Sequence, residues 1–286
     1  LIVFGGIRRI ASFTQVVVPV MALGYILIAL VVMAVNYQKI PSMFYLIIDS
    51  AFFGQAGFGA IVGLAIQWGV KRGIYSNEAG QGTAPHAAAA AEVSHPAKQG
   101  LVQAFSVYID TLFVCTATAF MILLTGLYNV EGPDGVMLYT GLAGVEAGPI
   151  YVQSAFETIL PGLGASLLAI SLFFFAFTTI LAYYYIAETN VMFINRKTQR
   201  PWLMIFLKWL VLSSVMYGGI KSADLAWALG DVGVGAMAWL NIVAILILQR
   251  PALLTLKDYE AQLKAGEDPD FDSDTIGIKN AEYWIK

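Results

Sequence analysis

Four ionisable side chains, Asp49, Asp110, Lys208 and Asp231, stand inside long apolar runs of this 286-residue chain. A charge at the centre of a membrane helix costs about 3 kcal/mol even on the mildest scale, so each is a functional candidate. Lys208 lies seven residues beyond Pro201, close enough to an interface for its stem to lift the ammonium group out of lipid. Asp49 sits near the other surface. Asp110 is nine residues past Leu101, deep enough to need a hydrogen-bond partner or a hydrated path. Adjacent Thr178 and Thr179 interrupt a run of phenylalanines and tyrosines. Their hydroxyls are hard oxygens suited to a small alkali cation. The plainer reading is that each bonds the carbonyl four residues back in its own helix.

Residues 69–92 read Gly-Val-Lys-Arg-Gly-Ile-Tyr-Ser-Asn-Glu-Ala-Gly-Gln-Gly-Thr-Ala-Pro-His-Ala-Ala-Ala-Ala-Ala-Glu. Asn77 and Glu78 beside Gly80 and Gly82 imply a compact turn whose backbone approaches something closely. His86 and His95 are nine apart, with no His-Glu-x-x-His pattern, so a metal centre is not indicated; both read as interfacial histidines. No nucleophile elbow, P-loop or dinucleotide fingerprint occurs, and an enzyme reading has no nucleophile and base to name. Cys115 is the single cysteine, so neither an internal disulfide nor a cysteine metal cluster is available.

The elements that must position these residues are membrane helices. Hydrophobic residues make up 58% of the chain, charged residues 12%, and the mean hydropathy is +0.72, far from the balance of a soluble domain. The reading is an all-α polytopic membrane protein. Charge-poor runs longer than the roughly 20 residues that cross a bilayer place spans at 10–38, 101–126, 158–187, 202–220 and 228–249. A sixth, 41–70, carries Gly54, Gly57, Gly59 and Gly63 within ten positions. Each glycine weakens a helix by about 1 kcal/mol relative to alanine, so this span reads as interrupted, although close packing of helices through small residues gives the same pattern. Residues 1–249 then form the transmembrane region and 250–286 a tail.

Arg8, Arg9, Lys71, Arg72, Lys98, Arg196, Lys197, Arg200, Arg250 and Lys257 fall in one set of connections, and only Lys39 and Lys221 in the other. The first set is expected in the cytoplasm, which puts 127–157 outside with room for a short lid helix, and the C-terminus inside. The tail holds 5 Lys/Arg against 8 Asp/Glu, while 1–249 hold 11 of each. After about Ala265 the tail is acidic and turn-prone, and is expected to be mobile. Nowhere is there the basic face that nucleic acid requires. The opening, Leu-Ile-Val-Phe-Gly-Gly-Ile-Arg-Arg, has neither an initiator methionine nor a signal-peptide layout, and an N-terminal portion is expected to precede it.

The stretch Lys71-Arg-Gly-Ile-Tyr-Ser-Asn-Glu-Ala-Gly-Gln-Gly-Thr-Ala-Pro-His, with His95-Pro, Gln99-Gly-Leu-Val, Ile109-Asp-Thr-Leu-Phe-Val-Cys-Thr-Ala-Thr-Ala, Leu123-Leu-Thr-Gly and Ala238-Trp-Leu-Asn-Ile-Val-Ala-Ile-Leu, resembles the alanine or glycine:cation symporter family across nearly all of 1–250. That resemblance implies a transporter of the LeuT type with five-plus-five inverted repeats, of which this chain would be the C-terminal part, its partner being the missing N-terminal half. It implies sodium-coupled symport of a small neutral amino acid across the plasma (bacterial inner) membrane, with Na⁺ as coupling ion and no other cofactor. The broken span becomes the discontinuous helix at the substrate site, with Gln55, Gly57, Phe58 and Gly59, and Asn241 from the last span, as substrate contacts. Thr178 and Thr179, with the main-chain carbonyl near Phe175, become sodium ligands. Ser76, Asn77 and Glu78, just past Lys71 and Arg72, are expected to gate the cytoplasmic side. The alternatives are a proton-coupled or sodium-independent amino acid transporter of the same fold, or a non-transport membrane subunit.

Overall fold

The computed structural model describes residues 6–52, 58–131, 136–146, 148–220, 223–279, 281 and 284; within its helices the side chains of 6–9, 11, 58–66, 223 and 224 lie outside the description. The chain is mostly helical. Among the described residues, five helices are long and apolar enough to cross a membrane: Ser12–Val35, Pro96–Thr125, Gly164–Asn195, Trp202–Ile220 and Leu225–Lys264. Their side chains explain why. Leu23 and Leu27 in the first of these, Trp209 in the fourth and Leu240 and Ile247 in the last are more than half exposed, a distribution that only lipid or further protein can cover.

The chain divides into two compact units, one of residues 1–72 and 109–185, the other of 73–108 and 186–286. In the first, α1 (Gly6–Val35) leads through a short 3₁₀ turn to α2 (Ile40–Phe52) and then to α3 (Phe58–Asn77), whose residues 58–72 belong to this unit and 73–77 to the second. Of the expected span 41–70, residues 41–52 fall in α2 and 58–70 in α3, while Gly54, Gln55 and Gly57 lie outside the described residues. The α1 helix packs on α6 (Thr116–Thr125) and α7 (Ile150–Glu157), and its centre is a buried cluster of Tyr25, Ala29, Val32, Ala117, Met121, Ala155 and Phe156. The Tyr25 ring meets Phe156 and Phe175 edge-on, with centroids 6.2 and 5.5 Å away. Its hydroxyl lies 2.8 Å from that of Thr118, so the polar tip of a buried aromatic is satisfied.

The connection 127–157 corrects the all-α expectation. It contains α7, but ahead of it stands an antiparallel hairpin of β1 (Asn129–Glu131) and β2 (Met137–Thr140), with Asn129 opposite Thr140 and Val130 opposite Tyr139. Gly126, at φ +71, ends α6 in the left-handed conformation that glycine adopts without strain. The Asn129 amide donates to the carbonyls of Leu142 and Val145, and its oxygen accepts from the Leu142 N–H, which fixes the turn after the second strand. The Tyr128 and Tyr139 rings lie 4.9 Å apart; burial, and secondarily Tyr139, hold the Tyr128 phenol above its ordinary pKa. Strands of three and four residues are too short to show a two-residue period in sequence.

α8 (Gly164–Asn195) begins where the Glu157 carboxylate accepts the N–H groups of Gly162 and Gly164, placing negative charge on a helix N-terminus. Its first two-thirds belong to the first unit and its end to the second. The second unit also holds α4 (Ala84–Ala88), α5 (Pro96–Tyr108), α9 (Trp202–Ile220) and α10 (Ala223–Lys264). The helix α10 continues through Pro251, so the sequence boundary at 249 and 250 falls inside one helix.

The acidic tail is packed, contrary to the expectation of mobility. Phe271 is 4% and Ser273 1% exposed. The Phe271 N–H donates to the Ser94 carbonyl, Ser94 Oγ donates to the Pro269 carbonyl, and Lys98 Nζ lies 2.7 Å from Asp268. At the centre is His95, which is fully buried rather than interfacial. Its Nδ1 accepts the Ala97 N–H at the start of α5, so Nε2 carries the proton and donates to Asp258 on α10. The rings of Tyr259 and Phe271 enclose it.

Candidate binding site

The sodium candidates lie on the first two-thirds of α8, in the first unit. Neighbouring helix residues are about 100° apart, and Thr178 and Thr179 accordingly face differently: Thr178 is 8% exposed, whereas Thr179 is open. Thr178 Oγ1 donates to the carbonyls of Phe174 and Phe175 at 2.9 and 3.1 Å, and Thr179 Oγ1 donates to Phe175 at 2.8 Å. This is the intrahelical pattern of an ordinary membrane threonine. It does not preclude a cation, because a hydroxyl that gives its one proton to a carbonyl still presents lone pairs on oxygen.

Of the substrate candidates, Gln55 and Gly57 lie outside the described residues. Phe58 and Gly59 form the first turn of α3, and the description does not extend to their side chains. Asn241 belongs to the second unit. Within that unit the Asn241 amide donates to the Gly80 carbonyl at 2.9 Å, in the segment assigned to gating.

That segment closes α3. The Glu78 N–H donates to the Ile74 carbonyl, and Glu78 itself has φ +57, the left-handed position usually taken by glycine after a helix. Asn77 Oδ1 accepts from the Ala79 N–H, the Gln81 N–H donates to Glu78, and Gly80 and Gly82 follow with φ +83 and +88. A Cβ at Gly82 would stand 3.2 Å from the Asn241 side chain, which is the close backbone approach the glycines announced. His86 fixes the other side of the turn: Nδ1 donates to Gly82, and Nε2 accepts from Asn190 near the end of α8.

The gating candidates Ser76, Asn77 and Glu78 follow α10 within the second unit. Tyr75 packs on Trp227 and against Gly230, Gly80 bonds Asn241, and His95 meets Asp258. The segment runs beside α10 in the same direction. Glu78 therefore stands level with the apolar stretch between Gly230 and Asn241, about 13 Å or more short of Arg250 at 1.5 Å per residue.

The intramembrane charges are also placed. Asp110 lies in a π-helical stretch, Ile109–Cys115, between α5 and α6, and such bulges cluster at functional sites. The Cys115 thiol lies 3.6 Å from its carboxylate, and Thr116 Oγ1 donates to the Thr111 carbonyl five residues back, as the wider turn allows. Asp49 lines a groove of about 500 Å³ with Lys39, Ser42, Tyr45 and Tyr139, and the Lys39 ammonium group donates to the Leu124 carbonyl. Sequence reasoning missed Gln81, Thr83 and Asn190; the first two were legible only as polar residues beside glycines.

The chain is similar in sequence to known proteins. YrbD of Bacillus subtilis (strain 168) is 60% identical over 285 residues, covering 100% of this chain and 59% of YrbD. The sodium/proton-dependent alanine carrier protein of Bacillus sp. (strain PS3) is 54% identical over 99% of this chain and 64% of its own length. The sodium/alanine symporter AgcS of Methanococcus maripaludis is 39% identical over 86% of this chain and 51% of its own. The chain thus spans about three-fifths of the first two relatives. The model of the sodium:alanine symporter family matches residues 1–273. This integral membrane chain belongs to the sodium:alanine symporter family, a family of transporters and not of enzymes.

Proposed function

We propose that the chain forms the C-terminal part of a sodium-coupled symporter for a small neutral amino acid, alanine or glycine, built on five-plus-five inverted repeats. The observation that carries this reading is the family match over 1–273, and the alanine carriers among its relatives support the choice of substrate. Gly54, Gly57, Gly59 and Gly63 within the apolar run 41–70 support a discontinuous helix at the substrate site, where half-helix ends and unwound backbone would meet the amino acid. Gln55, Gly57, Phe58 and Gly59 form that site in this reading. Sodium binds Thr178 and the Phe175 carbonyl, completed by main-chain oxygens from the N-terminal half. Positive charge moving inward gains about 2.3 kcal/mol per 100 mV of membrane potential, so one Na⁺ drives accumulation even before its gradient is counted.

Uptake of labelled alanine by the full-length carrier in sodium against choline buffer tests the coupling; equal rates overturn it. A second reading, proton coupling, is favoured by Asp110 on its π-helical stretch and by the printed name of the strain PS3 relative. Uptake driven by an imposed pH gradient in choline, and lost in Asp110→Asn, selects it.

A further inference from the structure

Inside the turn that follows α3, two side-chain oxygens are buried and have no hydrogen-bond partner among the described residues: Gln81 Oε1 and Thr83 Oγ1. Gln81 is 2% exposed and Thr83 3%. A buried polar atom left unsatisfied costs about 1–3 kcal/mol, and two of them two residues apart call for an explanation. Amide orientation does not remove the problem. Gln81 Nε2 donates to the Ile74 carbonyl at 2.6 Å, so exchanging the amide atoms would set oxygen against oxygen and leave a donor stranded.

The surroundings say what kind of partner is missing. Gln81 Oε1 can only accept, so the partner must present positive charge or a proton. The turn follows directly on the C-terminus of α3, a 20-residue helix, whose dipole places about half a negative charge there. A cation is thereby favoured over a neutral or anionic ligand. Both candidate ligands are neutral oxygens, the donor type of an alkali ion rather than of a transition metal. The turn is also built: Glu78, Gly80 and Gly82 hold left-handed backbone at every second position, Asn241 pins Gly80, and His86 takes the Gly82 carbonyl.

We propose that Gln81 Oε1 and Thr83 Oγ1 are ligands of a site for a small alkali cation, separate from Thr178 and located in the other unit of the chain. Occupation would tie the end of α3 to α10 through the turn that Asn241 already holds. In the transport reading, this makes the Ser76–Glu78 segment sensitive to sodium, and that consequence rests on the function proposed above.

The test is sodium binding to the purified full-length carrier without amino acid, measured with ²²Na⁺ and by the unfolding midpoint, in sodium chloride exchanged for choline chloride at constant ionic strength. Thr83→Val keeps the shape and removes one oxygen, and Thr83→Ser restores it. The expected result is at least a tenfold rise in the sodium concentration that half-saturates one binding phase in Thr83→Val, with parental binding in Thr83→Ser. Identical sodium titrations in the parent and Thr83→Val overturn the site, whether or not the midpoint itself moves; a midpoint change independent of sodium assigns the oxygens to a trapped water. No uptake enters this readout. Sodium-driven uptake beside unchanged binding in Thr83→Val rejects this site and keeps the coupling, while sodium-independent uptake beside Thr83-dependent binding does the reverse.

Discussion

At the scale of the residue, the two threonines of α8 are not equivalent. Thr178 is buried against the first unit while Thr179 faces outward, so Thr178→Ala should raise the sodium concentration for half-maximal alanine uptake about tenfold, the worth of one ligand near 1.4 kcal/mol. Thr179→Ala should shift it much less, and insertion should be normal in both. Unaltered sodium dependence in both variants would return the pair to helix packing. Glu78 is the other informative residue, because a side chain at φ +57 carries strain of about 1 kcal/mol that glycine would not. If its carboxylate holds an inner gate, Glu78→Gln should raise the inward-open population. Labelling of a cysteine placed at Ala65, with Cys115 removed, should then be faster from the cytoplasmic side; parental rates reject the gate. The residues themselves were conspicuous in sequence, being polar groups in apolar runs. Their facing was not, because adjacent positions share a composition while pointing about 100° apart.

Elements are joined here by single side chains at their ends. Glu157 takes two N–H groups ahead of α8, and its replacement by alanine should cost about 1 kcal/mol, as loss of a helix cap does; an unfolding midpoint equal to the parent's would show that water replaces the carboxylate. Gly82 joins the turn after α3 to α10. Gly82→Ala meets both a φ of +88 and the Asn241 side chain at 3.2 Å, and should destabilise by about 1–2 kcal/mol. Combining it with Asn241→Ala should recover only part of the steric share, because Cβ of residue 241 remains at 3.2 Å, and a double-mutant cycle measures that non-additivity. Additive effects would mean that the turn and α10 do not bear on each other.

For the whole molecule, the second unit is closed by its own C-terminal segment. Phe271 fills a site beside the buried His95, and truncating a buried phenylalanine costs about 3–5 kcal/mol. Phe271→Ala should therefore loosen the tail as a unit. Hydrogen exchange should accelerate together at 94–98 and 268–273, with the middle of α8 unaffected. Exchange unchanged at 94–98 would show that the tail covers this region without holding it. Lys98→Ala, which loses an exposed pair with Asp268, should have a small effect by comparison.

Sequence alone determined the membrane class, because a chain that is 58% apolar and gathers those residues in long charge-poor runs cannot remain in water and must satisfy its backbone as helices. It also singled out the Ser76-to-Thr83 turn, since closely spaced glycines mark backbone that other residues strain to adopt. Tertiary structure decided the partners. That Asn241 bonds Gly80, that His95 is buried between Asp258 and Phe271, and that Gln81 and Thr83 turn their oxygens inward all depend on segments at least 150 residues apart in the first two cases. No local pattern encodes such pairings. The acidic tail shows the same limit: its composition matches that of a disordered segment, yet one phenylalanine and a few backbone hydrogen bonds dock it, because a complementary surface waits at the start of α5.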